Sequence, residues 1–179
     1  MFGKGGQMKR FGIALALACC GASAAKADWE YTKWGMTPQQ VVSASNNLAT
    51  EGFDPHPDSD GNVTKLVAPF PSGKFPFEAQ FGFDAANKLS SVTLVLDDPS
   101  AGVDMAKDMD PNLNQEKCHD LLVTVKILYG PPQGGGSAHA LYTIATWRDQ
   151  KSKNDVKYTV LDGAGCYVQY SAIKPAGAH

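Results

Sequence analysis

The sequence predicts an α+β fold of two α-β-β-β-like halves, with helices packed on one face of an antiparallel sheet. Three observations carry this expectation. Two segments of helical periodicity each lead into about three strand-like runs. The best of those runs alternates apolar and polar residues, the mark of a sheet with one buried and one wet face. An acidic stretch at 97–112 separates the two helix-plus-strand groups. The expected organisation is an export segment at 1–27, then halves at 28–105 and 106–179 within one compact domain.

The export segment comes first. Lys9 and Arg10 precede an apolar run at 11–20, well short of the ~20 residues that a membrane-spanning helix needs. Small residues follow and end in Ala25-Lys26-Ala27, which fits a secretory cleavage site after Ala27. The expected location is therefore periplasmic or secreted. Leu17-Ala18-Cys19-Cys20 also loosely resembles a lipoprotein site, so membrane contact is expected only if Cys19 or Cys20 is lipidated.

The first helix is announced at Trp34-Gly35-Met36-Thr37-Pro38. Thr37 suits the N-cap, Pro38 the first helical position, and Gln40 closes a capping box. Met36 and Val41 have the spacing of a hydrophobic staple, and Val41, Ala44, Ser45 and Leu48 continue one face. A polar, Pro-rich loop at 51–62 leads to strand-like runs at 63–70, 75–83 and 89–96. In the second run Phe75, Phe77, Ala79, Phe81 and Phe83 alternate with Glu78 and Gln80 on the opposite face.

The second half repeats the scheme. Cys118, Leu121, Leu122, Val125, Leu128 and Tyr129 form a helical stripe that Gly130, Pro131 and Pro132 terminate. Residues 133–137, rich in glycine, are expected to be a flexible link. Strands are expected at 140–148, 156–161 and 166–173.

After export only Cys118 and Cys166 remain, and two cysteines in an oxidising compartment suggest one disulfide. Cys118 lies on the apolar stripe of its helix. Cys166 shares a strand face with Val168 and Tyr170, so a helix packed on the sheet would bring the two together. Two buried free thiols are the alternative.

Charge and motifs exclude several functions. Loss of 1–27 removes Lys4, Lys9, Arg10 and Lys26 but no acid, leaving twelve basic against eighteen acidic residues, a net charge of −6. Nucleic-acid binding needs clustered cations and is not expected. His56, Asp58, Asp60 and Gly61 superficially suggest a calcium loop. However, its first and twelfth positions hold His56 and Val67, where an acid and a glutamate belong. Cys118-His119-Asp120 places three reactive side chains in sequence, but successive helical residues diverge by about 100°, so they cannot converge. The other histidines that could join them, His56 and His139, fall in loops. No cofactor motif, metal site or catalytic set emerges, and the chain is not expected to be an enzyme. What remains is the outward face of the strands. There Glu78, Gln80, Lys157, Tyr167 and Gln169, with Thr93 and Thr159, form a candidate binding face.

Gly35-Met36-Thr37-Pro38-Gln39-Gln40-Val41 resembles the G-M-T-x-x-Q-V helix start of the small lipoproteins of the outer-membrane β-barrel assembly machinery. Tyr129-Gly130-Pro131-Pro132 is similar to the G-x-P that ends the helical part in that family. The resemblance implies helices on a three-stranded antiparallel sheet. The tandem arrangement is similar to the β-lactamase-inhibitor-protein fold, whose concave sheet clasps an enzyme, and would cover most of 30–173. The first half lacks a G-x-P after its helix, and no binding residue is carried over. These readings imply a non-enzymatic binding or scaffolding module with a protein partner in the cell envelope. The alternatives are a small-ligand carrier and an inhibitor of an extracytoplasmic enzyme.

Overall fold

A computed structural model describes residues 28–52, 57–58, 60–96, 111–138, 142–161 and 165–173. The export segment with Cys19 and Cys20, most of the acidic separator, His56 and His139 lie outside the described residues.

The chain opens with a small hairpin, β1 (Asp28–Trp29) and β2 (Thr32–Lys33), followed by α1 (Pro38–Ala44). Next come β3 (Thr50–Glu51), β4 (Val63–Ser72), β5 (Phe75–Phe83) and β6 (Leu89–Leu96). Helix α2 (Pro111–Tyr129) leads to β7 (Gly134–Ala138), β8 (Tyr142–Asp149), β9 (Asn154–Leu161) and β10 (Gly165–Ala172). Eight strands form one antiparallel sheet in the order β3-β4-β5-β6-β10-β9-β8-β7. Each half contributes a run of antiparallel neighbours, and the last strands of the two, β6 and β10, meet at the centre through the register Leu94↔Val168 and Thr93↔Gln169.

The expected α+β class is thereby corrected: the fold is mainly β. Among the described residues helix is confined to segments of 7 and 19 residues, against the single eight-stranded sheet. Two physical causes account for the difference. Helix α1 starts as expected, with the Thr37–Gln40 capping box and Pro38 in place, but stops after Ala44. Asn46 and Asn47 take positive φ of 54° and 63°, where short polar side chains are tolerated and a helix cannot continue. Ser45 Oγ accepts from Ala49 N at 2.9 Å, so Ala49 turns inward while Leu48, expected on the helix face, is 57% exposed. The second cause is β7. The glycine run expected to be a link pairs with β8 instead, from Gly134↔Thr146 to Ala138↔Tyr142.

One face of the sheet carries the hydrophobic core. Phe77, Ala79 and Phe81 of β5, Val92 and Leu94 of β6, Val168 of β10 and Val156 and Tyr158 of β9 are all buried there. Trp29 of the N-terminal hairpin closes one part of this face, with its ring 5.0 Å from Phe70 and 5.9 Å from Phe81. Helix α2 buries Cys118, Leu121 and Val125 in the same core. Three links tie it down. Cys118 and Cys166 form a disulfide with Cα atoms 5.7 Å apart, Tyr158 Oη donates to Cys118 O at 2.9 Å, and Trp147 Nε1 donates to Gly130 O at 2.8 Å. Leu128, assigned to the apolar stripe by its spacing, is 68% exposed and faces away from the core.

Candidate functional site

Register places polar side chains in rows across the face opposite the core. Gln80, Thr93, Gln169, Lys157 and Thr146 are successive cross-strand partners from β5 to β8. Glu78, Val95, Tyr167, Thr159 and Ile144 form the adjacent row. Period-two alternation made both rows: each residue follows or precedes one that enters the core. The five candidate residues Glu78, Gln80, Lys157, Tyr167 and Gln169 therefore share one face.

They are not equally accessible. Glu78, Gln80, Lys157 and Tyr167 are half-buried, whereas Gln169 is only 4% exposed. Its cover is Asp58, in the turn that Asp58, Asp60 and Asn62 form just before β4. Asp58 Oδ2 accepts from Ser91 Oγ at 2.7 Å, Gln169 Nε2 at 2.9 Å and Asn62 Nδ2 at 3.0 Å. Its Oδ1 accepts from the backbone N–H groups of Asp60 and Asn62, each at 2.9 Å. The turn is closed by Asp58 N donating to Asn62 O at 2.7 Å and by the Pro57↔Val63 bridge. Burial pushes the Asp58 carboxyl upward, but the hydrogen bonds from Ser91, Asn62 and Asp60 outweigh it and hold the group below the usual carboxylate value. Ser91, Asn62 and Gln169 are all buried, so this one carboxylate satisfies three buried donors on three segments of the chain.

Two shallow cavities flank the turn and share Gln169. One, of about 330 Å³, lies beside Asp58, with Gln80, Thr93, Val95 and Tyr167 in its lining. The other, of about 270 Å³, includes Asp60, Thr146, Asp155, Lys157 and Ser171. Along its border Arg148 Nε bonds Asp155 Oδ1 at 2.8 Å. Thr159, next to Tyr167, is 3% exposed, and among the described residues its hydroxyl has no hydrogen-bond partner.

The remaining candidates separate. Cys118 is consumed by the disulfide, His119 is exposed, and Asp120 bonds Lys74. The Asp58–Asn62 segment, which superficially suggested calcium, turns its first carboxylate inward onto neutral donors. Among the described residues, no three His, Cys, Asp or Glu side chains gather as a metal site. Among the described residues, no helix is long and apolar enough to cross a membrane. The disulfide points to an oxidising, non-cytoplasmic compartment.

Sequence reasoning missed Asp58, Ser91 and Asn62 as parts of this face. The Asp-x-Asp-Gly-Asn composition signalled a turn, but nothing local indicated that the turn folds onto strands 33 and 111 residues away. Comparisons with protein-family models, curated proteins and solved structures gave no match.

Proposed function

We propose that this protein is a non-enzymatic binding module that engages a protein partner in the cell envelope through the cleft-bearing face of its sheet. In this reading it is periplasmic or secreted after cleavage near Ala27, and meets a membrane only if Cys19 or Cys20 is lipidated.

One observation carries the proposal. The half-buried Tyr167 stands beside a cavity of about 330 Å³ whose lining joins the polar side chains Asp58, Thr64, Gln80, Thr93 and Gln169 to the apolar Pro57 and Val95, with Gln169 held by its bond to Asp58. Tyrosine beside pre-ordered polar groups is a favoured anchor at protein interfaces, because it gives contact area at low entropic cost. A small-ligand carrier would instead call for an enclosed apolar cavity between helix and sheet. The cavities described lie on the opposite face and are partly polar.

The test is cross-linking capture from envelope extract of the source cells, with the oxidised protein and its Tyr167→Ala variant as paired baits. A stoichiometric protein partner retained by the parent and lost by the variant supports the reading. Identical capture by both baits, or no partner for either, removes it.

A further inference from the structure

We propose that the cleft beside Tyr167 accepts a cationic side chain, a lysine or arginine presented by the partner protein; this rests on the sheet-face reading above.

Asp58 forms one wall of the cleft, and among the described residues every donor that holds its carboxylate is neutral: Ser91, Gln169, Asn62 and two backbone N–H groups. Neutral dipoles stabilise an anion without cancelling it, so its field extends into the cavity. Among the described residues, no lysine or arginine lines this cleft. Glu78 lies on the same face and accepts from another neutral group, Gln80 Nε2, at 3.0 Å.

Geometry adds the rest of a cation receptor. Val95 pairs with Glu78 on one side and with Tyr167 on the other. Adjacent strands are about 4.8 Å apart, so a carboxylate and an aromatic ring stand on either side of an aliphatic floor. The long methylene stem of lysine or arginine packs on such a floor while its charged head is attracted by a ring face and a carboxylate. A cavity of about 330 Å³ sits at the low end of the ~300–1,000 Å³ range of ligand pockets, suited to one side chain.

The probes are acetylated, amidated tri-arginine, tri-lysine and tri-glutamate, titrated into the oxidised protein and followed by two-dimensional amide NMR. Tri-arginine and tri-lysine are expected to shift the resonances of Gln80, Val95 and Tyr167, with affinity that falls as salt is raised. Glu78→Gln and Tyr167→Ala should each weaken binding at least five-fold, while Glu116→Gln on the exposed side of α2 leaves it unchanged. Matched thermal midpoints confirm that the variants are folded. Equal binding of tri-glutamate, cation binding that survives both the Glu78 and the Tyr167 substitution, or shifts confined to α2 would overturn the proposal. If no cationic probe touches the cleft while Tyr167→Ala still loses the envelope partner, the cation preference falls and the sheet-face reading stands. If both experiments fail, both fall.

Discussion

On one face of the sheet, Ala79, Phe81, Val92 and Val168 are buried against α2 and the N-terminal hairpin; on the other, Ser91, Asn62 and Gln169 are buried against a carboxylate. The first face is closed by apolar area, which is non-directional and tolerates approximate fit. The second is closed by hydrogen bonds, which are directional and costly to leave unmade. The contrast suggests a division of labour. Stability is concentrated where side chains meet helix and hairpin, while the opposite face is held rigid by a few polar contacts that leave cavities on either side.

The largest expected effects lie on the core face. Phe81→Ala, which empties a fully buried site among Trp29 and its neighbours, should cost about 3–5 kcal/mol in denaturant unfolding. Replacing Cys118 and Cys166 together opens a loop of 48 residues and should cost about 4 kcal/mol in the chain-entropy model. An equal loss from an exposed variant such as Ile127→Ala, at a position 77% exposed, would break the comparison.

Asp58→Ala comes next. It strands buried donors on Ser91, Asn62 and Gln169, at about 1–3 kcal/mol. The sign with pH follows from a lowered carboxyl pKa. The stabilisation is complete above the ordinary value of 3.8 and disappears as pH falls through the lower folded value. Asp149, held down mainly by its hydrogen bond from Ser152, adds a contribution of the same sign. Asp58→Asn should therefore flatten, without abolishing, the acid limb of a stability-versus-pH curve, and an unchanged limb would contradict the role given to Asp58.

Thr159→Val should be neutral or stabilise by up to about 1 kcal/mol, because the hydroxyl it removes is buried without a partner among the described residues. Smallest of all, Tyr167→Ala should move stability by no more than about 0.5 kcal/mol while abolishing partner capture. A large stability loss there would mean that Tyr167 belongs to the structural side of the comparison.

How much of this was legible in the sequence depended on the range of the interaction. The capping box of α1 and the alternation along β5 are local, and both appear as written in Thr37–Gln40 and Phe75–Phe83. The disulfide could be anticipated because its two residues had to face the same core. The end of α1 could not be read from periodicity, since Leu48 kept the stripe while Asn46 and Asn47 broke the helix. Strand β7 was hidden because glycine has low strand propensity. Glycine nevertheless permits the pairing, since at Gly135, with φ +123°, a Cβ would lie 2.1 Å from Ile144 O of β8. The candidate face was named by alternation alone, but its closure by Asp58 depends on residues that only the completed sheet brings together.

On the proposed reading, a protein partner meets the cleft-bearing face and not the helical side. The most direct measurement is in-cell photo-cross-linking, with a photoreactive residue at Glu78 in one version and at Glu116, exposed on α2, in another. A discrete protein adduct is expected from position 78 and none from position 116. An adduct only from position 116, or from neither, would contradict that reading.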